Sequence, residues 1–169
     1  SAETALSEFV ELEILFNENF LPTEKSMKSI QEATSIATQG DAAFIETDYI
    51  QASKYYAEAG AIVGGLINAT EQEIAEITTE LRKSIDNLNE SQARELSASL
   101  DAIIQANQTT LALKKRIASL PVIISKMREA RNFELEEEYG KALSLYAEIK
   151  DLDPATVSLQ GRIDSAQAG

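Results

Sequence analysis

Glu73, Glu76 and Glu80 stand at steps of three and four residues. On a helix that spacing places three carboxylates on one side, where they could bind calcium or share acid and base duties. The solvent side of an amphipathic helix carries the same residues, and acids early in a helix also complement its dipole. The solvated face is the stronger reading, and Glu134, Glu136, Glu137 and Glu138 are read the same way. Asp151-Leu152-Asp153-Pro154 lacks the glycine and further oxygens of a calcium loop and reads as a helix terminus. The sequence contains no histidine and no cysteine. That excludes histidine triads, imidazole metal sites, thiol catalysis and disulfides from this stretch of chain, and leaves carboxylate, lysine and hydroxyl chemistry. No residue is assigned a catalytic, cofactor-binding or metal-binding role, and the chain is expected to be neither an enzyme nor a cofactor protein.

Two further patterns could carry binding. Lys114, Lys115, Arg116, Lys126, Arg128 and Arg131 form the nearest thing to a basic cluster, read as a solvated helix face or as the partner of acidic residues elsewhere. Gly60 and Gly64 are spaced to let a neighbouring backbone come close, which reads as a tight helix crossing in the core. Asn68-Ala69-Thr70, Asn89-Glu90-Ser91 and Asn107-Gln108-Thr109 match the glycosylation sequon at the rate expected by chance in an Asn- and Thr-rich chain.

The elements that must position these residues are helices. Seven glycines and three prolines in 169 residues are too few for the turns of a sheet protein, and 44% apolar content suffices for a core. The net charge is −13, concentrated in residues 1–80, where 15 acids face 3 bases; residues 81–169 hold 13 acids and 12 bases. Such an acidic chain repels phosphate backbones and anionic lipid heads, so neither nucleic acid nor a membrane surface is an expected partner. No run of about 18 apolar residues could insert in a bilayer.

Residues 70–120 lack glycine and proline and carry one apolar row: Ile74, Ile77, Leu81, Ile85, Leu88, Leu96, Leu100, Ile103, Leu111, Ile117 and Leu120. Thr70 with Glu73 has the form of a capping box, and Pro121 supplies a stop. Together they predict one unbroken central helix over 70–120, a rod of roughly 75 Å. Before it, the spacing predicts a helix over 3–17 ended by Pro22, a second capped by Thr23 and broken at Gly40-Asp41, a short turn or helix over 42–46, and a third from Thr47 or Asp48 to Asn68. After it come a helix through Phe133, a turn or the start of the next helix in the acidic run 134–138, a helix over 139–152 broken by Pro154, and a short one over 155–166.

Tyr49, Ala52 and Tyr56-Ala57-Glu58 recur 90 positions later as Tyr139, Ala142 and Tyr146-Ala147-Glu148. The later copy resembles a tetratricopeptide repeat: Ala130 and Phe133 suit its first helix, Tyr139, Ala142 and Tyr146 its second, and Pro154 its terminal proline. In the earlier copy Gly40, Tyr49, Ala52, Tyr56 and Ala59 fit, while Ala43 replaces the aromatic and Gly64 the proline. Glu137 departs from the preferred turn glycine and Lys126 from the usual first-helix aromatic. The resemblance covers about 65 residues in two pieces and implies a scaffold that binds peptides or partner helices on its surface.

The expectation is therefore an all-α fold: an elongated antiparallel helical bundle of tetratricopeptide-like helix pairs around one very long helix, with residues 1–69 and 121–169 folded back along the 70–120 rod. It forms a single domain within a larger protein. The expected function is protein interaction or scaffolding in a bacterial envelope or signalling protein, with a lean to the extracytoplasmic side. The partner protein is unidentified, and monomer and homodimer both stay open. The alternative is an extracytoplasmic sensor bundle that binds a small ligand between helices.

Overall fold

The computed structural model describes residues 1–156 and 159–169. Among the described residues there are seven helices and no strand: α1 (Ala2–Asn19), α2 (Glu24–Ile45), α3 (Tyr49–Asp86), α4 (Glu90–Asp101), α5 (Gln108–Leu135), α6 (Tyr139–Leu152) and α7 (Gln160–Ala168). The class is all-α, and one helix, α3 with 38 residues, is very long. Extended pairing is confined, among those residues, to an isolated antiparallel bridge between Phe20 and Ile104.

The long helix is not the expected one. The apolar row over 70–120 is interrupted twice, by a turn at 87–89 and by an irregular stretch at 102–107. No single rod exists there for other helices to line. Thr70 is not a cap either. It lies inside α3, buried, and its hydroxyl donates to the carbonyl of Leu66 (2.8 Å). The helix expected to end at Asn68 thus continues to Asp86. Pro121 sits within α5 instead of ending a helix. Its ring holds φ at a helical value, so the cost is one missing amide and a local steric clash, and the buried residues on both sides of it hold the helix together.

Gly40 also fails as a break, for a visible reason. α2 runs through it, and the ring of Tyr56 occupies the space a side chain would need: a Cβ on Gly40 would lie 2.7 Å from Cε1 of that ring. Glycine is required by packing and not by a turn. The short element expected over 42–46 is simply the end of α2 and its cap.

The real turns contain no glycine. Those after α2, α3 and α5 share one pattern, with a single left-handed residue: Thr47 (φ 64°), Leu88 (φ 57°) and Glu137 (φ 60°). In each, the next amide reaches back five residues: Asp48 to Ala43, Asn89 to Ser84 and Glu138 to Phe133, at 2.8–2.9 Å. This is a Schellman end whose last residue also opens the next helix. Asp48 and Asn89 then accept from Gln51 and Gln92 through their side chains (3.1 and 3.2 Å). A left-handed non-glycine residue costs roughly 1 kcal/mol, which the bonds closing the turn offset.

Two other helix starts are fixed by capping boxes. Thr23 and Ser26 exchange bonds of 3.1 and 2.8 Å ahead of α2, as expected for Thr23, and Asn107 and Thr110 exchange bonds of 3.0 and 2.8 Å ahead of α5. Two of the three sequon-like asparagines, Asn89 and Asn107, are therefore helix caps. The expected helix over 139–152 is found as α6; of the acidic run before it, Glu134 still belongs to α5 and residues 136–138 make the turn. Of the helix expected over 155–166, residues 157–158 lie outside the described residues, and α7 accounts for the rest from Gln160.

The chain divides into two compact units, Ser1–Glu76 with Ser99–Gln105, and Ile77–Ala98 with Ala106–Gly169. The core of the first joins Phe9, Phe16 and Phe20 to Ala33, Ala37, Ala52, Tyr56, Ala59 and Val63. Alanines on α2 and α3 let the helices approach, and tyrosine and phenylalanine rings fill what remains. Gly60 belongs to this crossing: a Cβ there would touch the backbone of Phe9 at 3.8 Å. Leu21 donates its amide to the carbonyl of Ile103 (2.7 Å), which ties the loop after α1 into the same unit. The core of the second joins Ile123, Met127 and Ala130 of α5 to Ala142, Tyr146 and Ile149 of α6, with Leu159 and Ala166 closing over them.

Candidate functional site

Charge divides as the units do. The first unit holds 15 acids and 3 bases, the second 13 acids and 12 bases. Glu73 and Glu76 belong to the first, and Glu80 to the second. Glu73 lines a cavity of about 240 Å³ with Phe16, Leu66 and Ile103, Glu76 accepts from the side-chain Nε2 of Gln72, and Glu80 pairs with Lys83 at 2.7 Å. Among the described residues no group of three or more acidic, histidine or cysteine side chains converges as a metal site would need.

Members of the basic cluster have different surroundings. Arg116, on α5, is largely buried, and its partners lie in its own unit and not in the acidic first one. Its Nε donates to both carboxylate oxygens of Asp153 (3.1 and 3.0 Å), and Nη2 donates to Asp86 (2.7 Å). Burial works against this charge, but the hydrogen bonds to Asp86 and Asp153 outweigh it and hold the guanidinium above its ordinary range. Asp153, 4% exposed, is a structural anion at the end of α6. Sequence reasoning missed this cluster because its members lie 30 and 37 positions from Arg116, with no local spacing to connect them. Lys126 pairs with Glu148. Lys141 pairs with Glu138 and lies over the Phe133 ring, 5.1 Å from its centre.

Arg128 and Arg131 differ. Both are exposed, and neither has a salt-bridge partner among the described residues. They follow from the helical period of α5. Ile123, Met127 and Ala130 face the core, so the adjoining row of Ile124, Arg128, Arg131 and Leu135 faces out. That row and the turn residues Asn87 and Leu88 line an open hollow of about 520 Å³. Arg131 and Leu135 also border a second hollow of about 550 Å³, with Glu134, Tyr139 and Arg162. At its side the Tyr146 hydroxyl donates to Glu134 (2.8 Å). Burial first, and then that bond, push the phenol upward against the opposing pull of Arg162. The arrangement offers guanidinium donors beside aliphatic surface.

The ends of α2 and α5 add a second common feature. Ile45 and Leu135 are the last residues of their helices, 81% and 83% exposed. Phe44, Tyr49 and Ile50 lie exposed beside Ile45. The corresponding residue of α3 is Asp86, which the second unit uses for Arg116.

Fold and surface define an all-α protein of helical hairpins with open, partly cationic hollows. No family model, curated protein or solved structure matches the chain. Among the described residues no helix is long and apolar enough to cross a membrane.

Proposed function

We propose that this chain is a non-catalytic protein-interaction or scaffolding module, the helical region of a larger protein, built from tetratricopeptide-like hairpins. The observation that carries the reading is the exposed aliphatic side chain at the tip of two hairpins, Ile45 and Leu135, the second set between two open hollows. Large apolar side chains left in water beside concave surface mark sites where another protein can bury them. The thrice-repeated turn supports the repeat reading.

A small-ligand sensor would use an enclosed cavity with polar groups aimed into it. In the cavity beside Phe16 and Leu66 the hydroxyls of Thr23, Ser26 and Thr70 are spent on local backbone bonds, and the charged residues that line it, Lys25 and Glu73, are exposed to solvent, which favours the interaction reading. The test is retention of proteins from a source lysate by the immobilised chain and by a variant carrying Ile45→Glu and Leu135→Glu. Proteins held by the native chain and lost from the variant support the reading, and identical or empty eluates count against it.

A further inference from the structure

We propose, resting on that interaction reading, that the α5 row of Ile124, Arg128, Arg131 and Leu135 binds a short acidic segment of another protein, with an aliphatic side chain placed between its carboxylates.

Arg128 and Arg131 are one turn apart, so their guanidinium groups project to the same side of the helix. Each can grip a carboxylate with two parallel bonds, and neither is engaged by an acid of its own chain among the described residues. Three other cations of this unit are committed: Arg116 to Asp86 and Asp153, Lys126 to Glu148, Lys141 to Glu138. No acidic residue lines the hollow that Arg128 and Arg131 share. In a unit whose 13 acids and 12 bases nearly cancel, a concave surface lined by two arginines and no carboxylate is locally positive. Ile124 and Leu88 at the wall and Leu135 at the rim supply the apolar contact that charge alone lacks.

Charge also selects the size of the occupant. Screening confines the arginine field to about 8 Å at physiological salt, so a short segment senses the hollow and little else. A second copy would bring another −13, and a nucleic acid a long run of phosphates, each repelled by the chain as a whole.

The experiment uses a random peptide display library selected on the full chain, with Arg128→Glu/Arg131→Glu as counter-target. Enriched peptides should carry two or more Asp or Glu around Leu, Ile or Val. In fluorescence anisotropy they should lose at least about tenfold in affinity on the double variant and weaken several-fold between about 0.05 and 0.5 M salt. Both arginines are exposed and unpaired, so the melting curve of the variant should match the native one, confirming that it folds. Neutral or basic peptides that bind the double variant undiminished but are lost on Leu135→Ser overturn the acidic segment and leave the interaction reading standing. An empty selection overturns the acidic segment, and the interaction reading falls with it only if the lysate eluates are empty too; self-association abolished by the double variant assigns the hollow to a second copy instead.

Discussion

The hairpin of α2 with α3 in the first unit and that of α5 with α6 in the second solve the same packing problem with different residues. Each buries a tyrosine between its helices, Tyr56 and Tyr146, and each gives the hydroxyl a carboxylate on the facing helix: Asp41 at 2.6 Å and Glu134 at 2.8 Å. Under Tyr56 the facing helix has been cut back to Gly40, while the second hairpin keeps the fully buried Ala130. The units then diverge in charge. The second balances its charges and buries an ion cluster, whereas the first carries nearly all of the net negative charge and packs on aromatic rings and alanines. A shared hairpin plan therefore tolerates two routes to cohesion.

The largest expected effect tests the ion cluster. Arg116→Met strands Asp153 in a buried site and should cost about 3 kcal/mol, read by urea unfolding. Hydrogen exchange should rise first in α5 and α6, while exchange at Ala52 and Ala59 should stay as it is.

Next comes the ring on Gly40. Gly40→Ala gains helix propensity but drives a methyl into Tyr56, with a net loss of about 1–2 kcal/mol. Gly65→Ala, with nothing within 4 Å of its new methyl, should gain about 0.5–1 kcal/mol. Equal effects at the two glycines would remove the distinction between a packing glycine and a permissive one.

The caps should match across the units. Thr23→Ala and Asn107→Ala each remove one side of a capping box and should cost about 1 kcal/mol in thermal or urea unfolding. A much larger loss at either would show that the cap also anchors its unit.

The smallest effect is the tyrosine hydroxyl, with about 0.5–1.5 kcal/mol lost in Tyr56→Phe at neutral pH. Burial, then the hydrogen bond and charge of Asp41, raise the Tyr56 phenol from 10.0 to about 12. The fold holds its neutral form. Its contribution is thus complete below pH about 10 and is lost as pH climbs through about 12, a loss that Tyr56→Phe should abolish in alkaline unfolding curves.

Much of the core was legible because helical period alone sorts faces. The period puts Tyr49, Ala52, Tyr56, Ala59, Val63 and Leu66 of α3 on one face and Ala142, Leu145, Tyr146 and Ile149 of α6 on another; all are buried except Tyr49, which is exposed, and Leu145, which is half-buried. The outer face of α1 was less so: Val10, Ile14 and Leu15 extend the apolar stripe but stay exposed, as more hydrophobic residues point outward than one crossing can cover. Boundaries misled at Gly40 and Pro121, which lie inside helices, whereas Pro22 and Pro154 do follow helix ends.

All-helical character, the position of α6, the Thr23 cap and the acidic imbalance are local properties, carried by composition, spacing and single side chains. Tertiary structure alone decided that Gly40 stays helical beneath a ring, that Leu88 turns left-handed and packs against the second core, and that Arg116 finds acids at distant positions. Each of these depends on free energy gained from residues far away in sequence, which can outweigh a local preference of about 1 kcal/mol without leaving any mark in the nearby pattern.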